Sequence, residues 1–310
     1  MQIVTNWTGI DAALKGASVA MGNFDGVHRG HQVVIDAARR PEVPLGVITF
    51  EPHPRQVFAP DAPPFRLMNA EARRNRLEKL GVDILYELPF TRDLAALPPE
   101  TFARAVLVQG LGVSHVVVGA DFQFGKGRAG TAEVLCELGA QMGFDVTIQP
   151  IVGGENGAIS STAIRKALSE GRVGDAAGML GHRHRIDGAV LHGEKRGRDL
   201  GYPTANLAVA GLHLPRLGVY AVRVDVLGGP FKGCHDGVAS LGVRPMFGVN
   251  APNFEVHLFD FSGDLYGQHV SVALVEYLRP EVKFDGLQAL IDQMDADSRQ
   301  ARAILARVQA

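Results

Sequence analysis

The chain has 310 residues, about twice the length of an ordinary domain, so two domains are expected. Hydrophobic residues make up 46% and charged residues 21%, a globular composition that excludes long disorder. With 31 basic against 33 acidic side chains the net charge is −2, which gives no basic surplus for gripping nucleic-acid phosphates, and no nucleic-acid partner is expected. The two cysteines, Cys136 and Cys234, are too far apart for a metal-ligand or redox spacing and exclude a disulfide framework. The N-terminal stretch lacks the basic region and apolar run of a signal peptide, and no apolar run approaches the roughly 18 residues that span a membrane. A cytoplasmic protein with no membrane partner is expected.

From residue 17 the chain alternates short apolar runs with helix-length stretches. Ala17–Met21, Leu45–Phe50, Val82–Leu88, Ser114–Gly119 and Asp145–Val152 read as strands, and 30–40, 70–80, 99–109 and 131–143 as helices. The third helix opens on Pro98-Pro99, where a missing N–H costs nothing. Continuous apolar strands separated by helices predict a parallel sheet covered on both faces, with ligands at the carboxyl ends of its strands.

The densest chemistry lies in Met21-Gly22-Asn23-Phe24-Asp25-Gly26-Val27-His28-Arg29-Gly30-His31, after the first strand and at the opening of a helix. Free backbone N–H groups and the positive end of the helix dipole meet there, which suits an anion. His28 and His31 share one face of a first helical turn, and Gly30 removes a side chain where a phosphate would approach the backbone. The pair could also be half of a zinc site, although no third ligand with suitable spacing accompanies it, or two plain surface residues. Gly125-Lys126-Gly127-Arg128-Ala129-Gly130 has GxGxxG spacing but neither directly follows a strand nor has an acidic residue suitably downstream, so it reads as a mobile glycine loop. Ser160-Ser161-Thr162 marks a helix start, where the hydroxyls either donate to a phosphate or simply cap the helix.

Phe24–His31 resembles the HxGH signature of the nucleotidylyltransferases, and within them the adenylyltransferase half of the prokaryotic bifunctional riboflavin kinase/FAD synthetases. Thr49-Phe50-Glu51-Pro52-His53-Pro54, the stretch Val118–Gly125, and Ile159–Arg165, which is similar to an ISSTxIR element, follow in the family's order. The resemblance implies an α/β doubly wound, Rossmann-like nucleotidylyltransferase domain over residues 1–183 that joins FMN to the AMP part of ATP and releases pyrophosphate. It implies His28, His31 and Arg165 as catalytic groups, Gly22, Phe24, Gly30, Ser160, Ser161 and Thr162 against the nucleotide, and Pro52, Pro54 and Asp121 against the flavin. The FMN phosphate is already largely dianionic at pH 7, so the nucleophile needs no general base. The site then has to hold two anions together, with His28, His31 and Arg165 supplying positive charge.

After Gly181 the pattern changes. Ile186–Leu191, Gly218–Val226, Val238–Leu241, Phe254–Phe261 and Val270–Tyr277 are separated by Gly- and Pro-rich turns with no helix-length insertions, which predicts an antiparallel barrel or sandwich beginning between 181 and 186. Phe261-Ser262-Gly263-Asp264-Leu265 reads as a hairpin turn, and Phe284–Val308 as an amphipathic helix. Gly193–Leu207 is a basic, glycine-rich loop running into a strand with small polar side chains, suited to phosphate and Mg²⁺ or merely solvated. Alternation sets Glu255, His257 and Phe259 on one strand face and Phe254, Val256 and Leu258 on the core face, so Glu255 either faces a cleft or is an ordinary exposed residue.

Gly193–Leu207 resembles the GRxLGxPTAN motif of riboflavin kinases, and Phe254–Phe261 followed by Asp264-Leu265-Tyr266-Gly267 resembles a later part of the same family. The resemblance implies an antiparallel six-stranded β-barrel domain with a C-terminal helix over residues 186–310, phosphorylating riboflavin with ATP and Mg²⁺. Gly201, Pro203, Thr204 and Asn206 would contact the nucleotide, Thr204 and Asn206 also the metal, and Glu255 would be the catalytic carboxylate. The chain departs from its relatives at Gln123 and at Met246, which replaces a common Thr. Two other readings are a chain with one active and one degenerate domain, and a flavin- or nucleotide-sensing module without turnover. His28, His31, Arg165, Thr204, Asn206 and Glu255 together speak against both, and the expected partners are small molecules: ATP, riboflavin, FMN and FAD.

Overall fold

A computed structural model describes residues 1–154, 157–193, 201–246 and 249–308. Two compact units emerge, one of Met1–Pro63 with Arg73–Ile159, the other of Pro64–Ala72 with the chain from Ser160 onward.

The first unit is built on six strands, β1 (Gln2–Val4), β2 (Ser18–Met21), β3 (Leu45–Glu51), β4 (Ile84–Pro89), β5 (His115–Gly119) and β6 (Asp145–Gln149). They lie in the order β1-β4-β3-β2-β5-β6, and every neighbouring pair is parallel. All five expected strands are present. The sixth, β1, is a three-residue edge strand too short to show in the apolar pattern. The chain leaves β2 for β3 on one side and later places β5 on the other, so the strand order reverses at β2, where open α/β sheets bind their ligands. Val19, Met21, Ile48, Tyr86, Leu88, Val116 and Val118 form the core with Leu107, Leu111 and Leu135 from the helices.

Helices α1 (Arg29–Ala37), α2 (Ala70–Lys79) and α3 (Ala132–Met142) stand where the periodicity puts them. The stretch after Pro98 is a short α-helix, Pro99–Phe102, that widens into π-type turns over Ala103–Leu111 and stops at Gly112 with φ 59°. The glycine loop at 125–130 does follow a strand: Gln123–Phe124 pairs antiparallel with Gly130–Thr131 around a 3-10 turn at Lys126–Arg128.

The second unit is an antiparallel barrel of β7 (Arg185–Ala189), β8 (Ala205–Leu207), β9 (Gly218–Val226), β10 (Gly233–Met246), β11 (Val249–Leu258) and β12 (His269–Arg279), in the order β7-β12-β9-β10-β11-β8. The two edge strands approach through a bridge between Leu191 and Asn206, where the Leu191 N–H donates to the Asn206 carbonyl at 2.8 Å. The Ser-Gly-Asp turn chemistry of residues 261–265 does not make a hairpin. Strand β11 pairs with β10 and β8, whereas β12 pairs with β7 and β9, so the segment crosses between strands that never meet. The final helix, α6 (Leu287–Arg307), seats Ala301 and Leu305 against Ala221 and Phe259 on the barrel's outer face.

The packing divides the chain earlier than the expected boundary at 181–186. Helices α4 (Ser161–Ser169) and α5 (Val173–Leu180) send Ile164, Leu168, Val173 and Leu180 into the same core as Leu207, Tyr220, Val222 and Phe254, and Leu67 joins them. Amphipathic spacing shows that such helices have an apolar face, but not which sheet that face covers.

The buried His184 predicts a pH effect. Burial, reinforced by His182 and His213, pushes its pKa from 6.5 down to about 3. The folded state then refuses a proton that the unfolded chain accepts below pH 6.5, so this stability is present above that pH and is lost as pH falls toward 3. Between pH 7 and pH 5 the loss is about 2 kcal/mol. Urea unfolding followed at both pH values should show it, and His184→Leu should flatten that difference. An unchanged pH 5–7 difference in the variant would refute the assignment.

Candidate active site

In the first unit the candidate groups collect at the carboxyl ends of three adjacent strands. The histidine loop follows β2, Pro52 and Pro54 follow β3, and Asp121 follows β5. The histidine loop is held in a tight and strained path, with φ at 50° for Phe24, 90° for Gly26 and 42° for Val27. Non-glycine residues in this region cost of order 1–3 kcal/mol each and persist where the surroundings force them. Here the Thr49 hydroxyl donates to the Asn23 carbonyl at 3.2 Å and the Gln32 amide to the Val27 carbonyl at 2.8 Å.

His28 is the N-cap of α1. Its Nδ1 accepts the His31 backbone N–H at 3.2 Å, which leaves Nε2 to carry the ring proton in the neutral form. The His28 and His31 rings stack with centroids 3.6 Å apart and planes 15° apart. Burial, and then the adjacent His28, hold His31 well below the usual histidine range. Both influences disfavour charge on the His31 ring and favour a hydrogen-bonding role for it.

Gly30 also has a more immediate reason than ligand approach, because a Cβ there would lie 3.2 Å from the His28 ring. A Cβ at Gly22 would touch the Phe24 ring at 3.4 Å. Phe24 is buried and meets His31 edge-on at 5.3 Å, so its ring supports the histidine. Among the described residues no group of three or more His, Cys, Asp or Glu side chains could hold a metal, so the half-zinc alternative finds no partners.

Pro52 and Asp121 are exposed, and Pro54 opens a short helix, Pro54–Phe58, whose last residue is 67% exposed. Phe58 meets Phe90 edge-to-face at 5.7 Å, and Phe90 meets Phe50 in the same way. Sequence reasoning missed this aromatic row. An apolar ring four residues beyond Pro54 was the available signal.

Ser160, Ser161, Thr162 and Arg165 belong to the second unit. Ser160 caps α4, its Oγ accepting the Ala163 N–H at 3.2 Å, so the capping alternative applies to that residue. Arg165 donates from Nε to the Phe65 carbonyl at 2.5 Å and lies over the Phe65 ring at 5.5 Å.

On the barrel, register brings the other candidates together. Asn206 of β8 stands opposite Glu255 of β11, and Glu255 stands opposite Ser240 of β10. Directly opposed residues share a face, away from the core residues Ala205, Leu207, Phe254 and Val256, and the half-buried Thr204 immediately precedes β8. A Cβ on Gly193 would overlap the Asn206 amide, so the glycine keeps that space open. Gly201 adopts φ 79° and is exposed, as is Pro203.

His257, next to Glu255 on this face, has its Nδ1 2.9 Å from the Pro203 carbonyl. Its ring lies 4.9 Å from that of Tyr202, whose hydroxyl donates to Asp295 of α6. The basic loop 194–200 lies outside the described residues, as does the side chain of Met246. Gln123 is exposed on its short strand.

Residues 10–163 match the FAD synthetase family model and residues 180–305 the riboflavin kinase family model. Three similar proteins bear the name bifunctional riboflavin kinase/FMN adenylyltransferase. That of Pseudomonas fluorescens is 40% identical over 99% of this chain and 98% of its own length. That of Escherichia coli K12 is 39% identical over 94% and 93%, and that of Listeria monocytogenes 38% over 98% and 95%. A crystal structure from Streptococcus pneumoniae, described as a macrolide-efflux protein, is similar with a TM-score of 0.81 and 34% identity over 97% of this chain and 98% of that one. Among the described residues no helix is long and apolar enough to cross a membrane.

Proposed function

The chain belongs to the bifunctional riboflavin kinase/FMN adenylyltransferase family, and from that premise we propose which of its residues run each reaction. It phosphorylates riboflavin to FMN and adenylates FMN to FAD. The observation that carries the assignment is that two separate constellations exist, a stacked histidine pair at the sheet's switch point and an Asn206–Glu255 register pair on the barrel.

In adenylyl transfer, an FMN phosphate oxygen forms a bond to the α-phosphorus of ATP while the bond from that phosphorus to the bridging oxygen breaks, releasing pyrophosphate. His28 and His31 donate hydrogen bonds to the phosphoryl oxygens that gain charge. Gly22 and Gly30 keep the backbone open to the nucleotide. Pro52, Pro54 and Asp121 border the flavin, and the exposed Phe58 with Phe90 offers it an aromatic surface.

In the kinase reaction, the riboflavin 5′-hydroxyl attacks the γ-phosphorus of ATP and ADP departs. Glu255 orients the hydroxyl and takes its proton. Gly201, Pro203, Thr204 and Asn206 contact ATP. The side-chain oxygens of Thr204 and Asn206, beside the Glu255 carboxylate, fit the hard oxygen donors that Mg²⁺ prefers, and these two residues would hold it. The ion would supply charge neutralisation on the transferred phosphoryl group.

Incubating the pure protein with riboflavin, ATP and Mg²⁺ and separating the flavins should show FMN first and FAD after it. Supplied FMN should give FAD without passing through the kinase. Binding of flavin and ATP with neither product formed would favour a sensing module. One product alone would leave a single active domain.

A further inference from the structure

We infer that His257 is a positioning residue of the kinase site: its ring N–H fixes the Pro203–Thr204 peptide, and through it the nucleotide-facing side chains of Thr204 and Asn206, against the strand that carries Glu255. The inference rests on the kinase reading given above and extends it to a residue that touches neither substrate nor metal.

The geometry lies within one unit. The backbone ladder between β8 and β11 runs through Leu207, Asn206 and Ala205, opposite Phe254, Glu255 and Val256, and ends there. Among the described residues no further strand pairing holds the chain toward Thr204 and Pro203. His257 is the next residue on β11 after the ladder ends. Its Nδ1 lies 2.9 Å from the Pro203 carbonyl. A carbonyl oxygen can only accept, so Nδ1 carries the proton, and the side chain adds one more rung where the backbone stops. Thr204 follows this carbonyl directly, and Asn206 stands opposite Glu255 two residues later. A peptide free to rotate at 203–204 would swing the Thr204 hydroxyl, and an ångström of misplacement in such a site can cost about a hundredfold in rate.

The ring is itself held in place. Tyr202 packs on one side at 4.9 Å and Phe259 lies edge-on at 5.9 Å. The Tyr202 hydroxyl is tied to Asp295, and Phe259 carries the Arg302 guanidinium 4.2 Å above its ring, so both flanking rings are anchored to α6. A hydrogen-bond donor on a strand, locked between two fixed rings, sets the height of the peptide it holds. This arrangement is more than hydrophobic filling would require.

The test compares two amides in the full-length protein. His257→Asn can place its Nδ2 close to where Nδ1 stands, whereas His257→Gln carries its amide one bond further, near the position of Nε2. Riboflavin phosphorylation is measured at varied ATP, with FAD formation from supplied FMN as a check on the folded chain. His257→Asn should stay within about threefold of the parent in kcat/KM for ATP, and His257→Gln should fall about tenfold or more, with FAD formation unchanged in both. Equal kinase activity of the two variants, whether both retained or both lost, would overturn the positioning role. Glu255→Gln assayed alongside separates the two levels. If it keeps full kinase turnover, the kinase reading fails, and if it is inactive while the two His257 variants match each other, only the positioning inference fails.

Discussion

His31→Ala should lower FAD formation from supplied FMN by about 10²–10³ in kcat while riboflavin phosphorylation continues at the parent rate. That magnitude is typical of removing one preorganised hydrogen-bond donor from a site where negative charge develops. The structure sharpens why the loss should appear in kcat. Burial and the stacked His28 ring 3.6 Å away disfavour charge on the His31 ring, which weakens its pull on a resting polyanion. It gains most when charge builds on the phosphoryl oxygens in the transition state, which is the definition of differential binding.

His31 is also the cleaner of the two histidines to change. His28 caps α1 as well, so His28→Ala adds about 1 kcal/mol of lost capping to any catalytic effect. Steady-state assays of both activities on one preparation decide the matter. Near-normal FAD synthesis by a folded His31→Ala chain would remove the histidine pair from the mechanism.

The build of the histidine loop was legible because everything that shapes it is local. A strand, a glycine-rich turn and a helix start are contiguous in sequence, and their chemistry follows from free N–H groups at that junction. Glu255 was legible for a similar reason, since period-two alternation alone separates it from Phe254 and Val256, and the core accepts the latter two. The failures share the opposite character. Residues 261–265 have turn chemistry, but they form only a bend at Gly263, with the Tyr266 N–H donating to the Asp264 carboxylate at 2.9 Å. Which strands flank a turn as partners depends on pairing across the whole barrel, and local composition carries no such information. Helices α4 and α5 show the same limit, because their apolar faces were visible but the sheet they cover was not. The lowered pKa of His31 escaped as well, since a ring's titration depends first on the space around it and not on its sequence spacing from another histidine.

Glu255→Gln should reduce riboflavin phosphorylation by about 10²–10⁴ and leave FAD formation from supplied FMN untouched. The two reactions differ in their nucleophiles. FMN brings an ionised phosphate and needs no base, whereas riboflavin brings a neutral alcohol that must shed a proton as it attacks. Only the barrel therefore has a use for a carboxylate, and Glu255 stands on the same face as Asn206 and Ser240, opposite both in register. Glutamine keeps the length, the planar end and a hydrogen-bond acceptor, so the strand and its neighbours should be preserved. What it removes is the negative charge that receives the proton. Phosphoryl transfer passes through a loose transition state in which orientation can outweigh basicity, and a drop near the lower end of the range would mark Glu255 as chiefly an orienting group. Kinase turnover within a few-fold of the parent at saturating riboflavin and ATP would show that neither role belongs to Glu255, and the base would have to be sought elsewhere on the barrel.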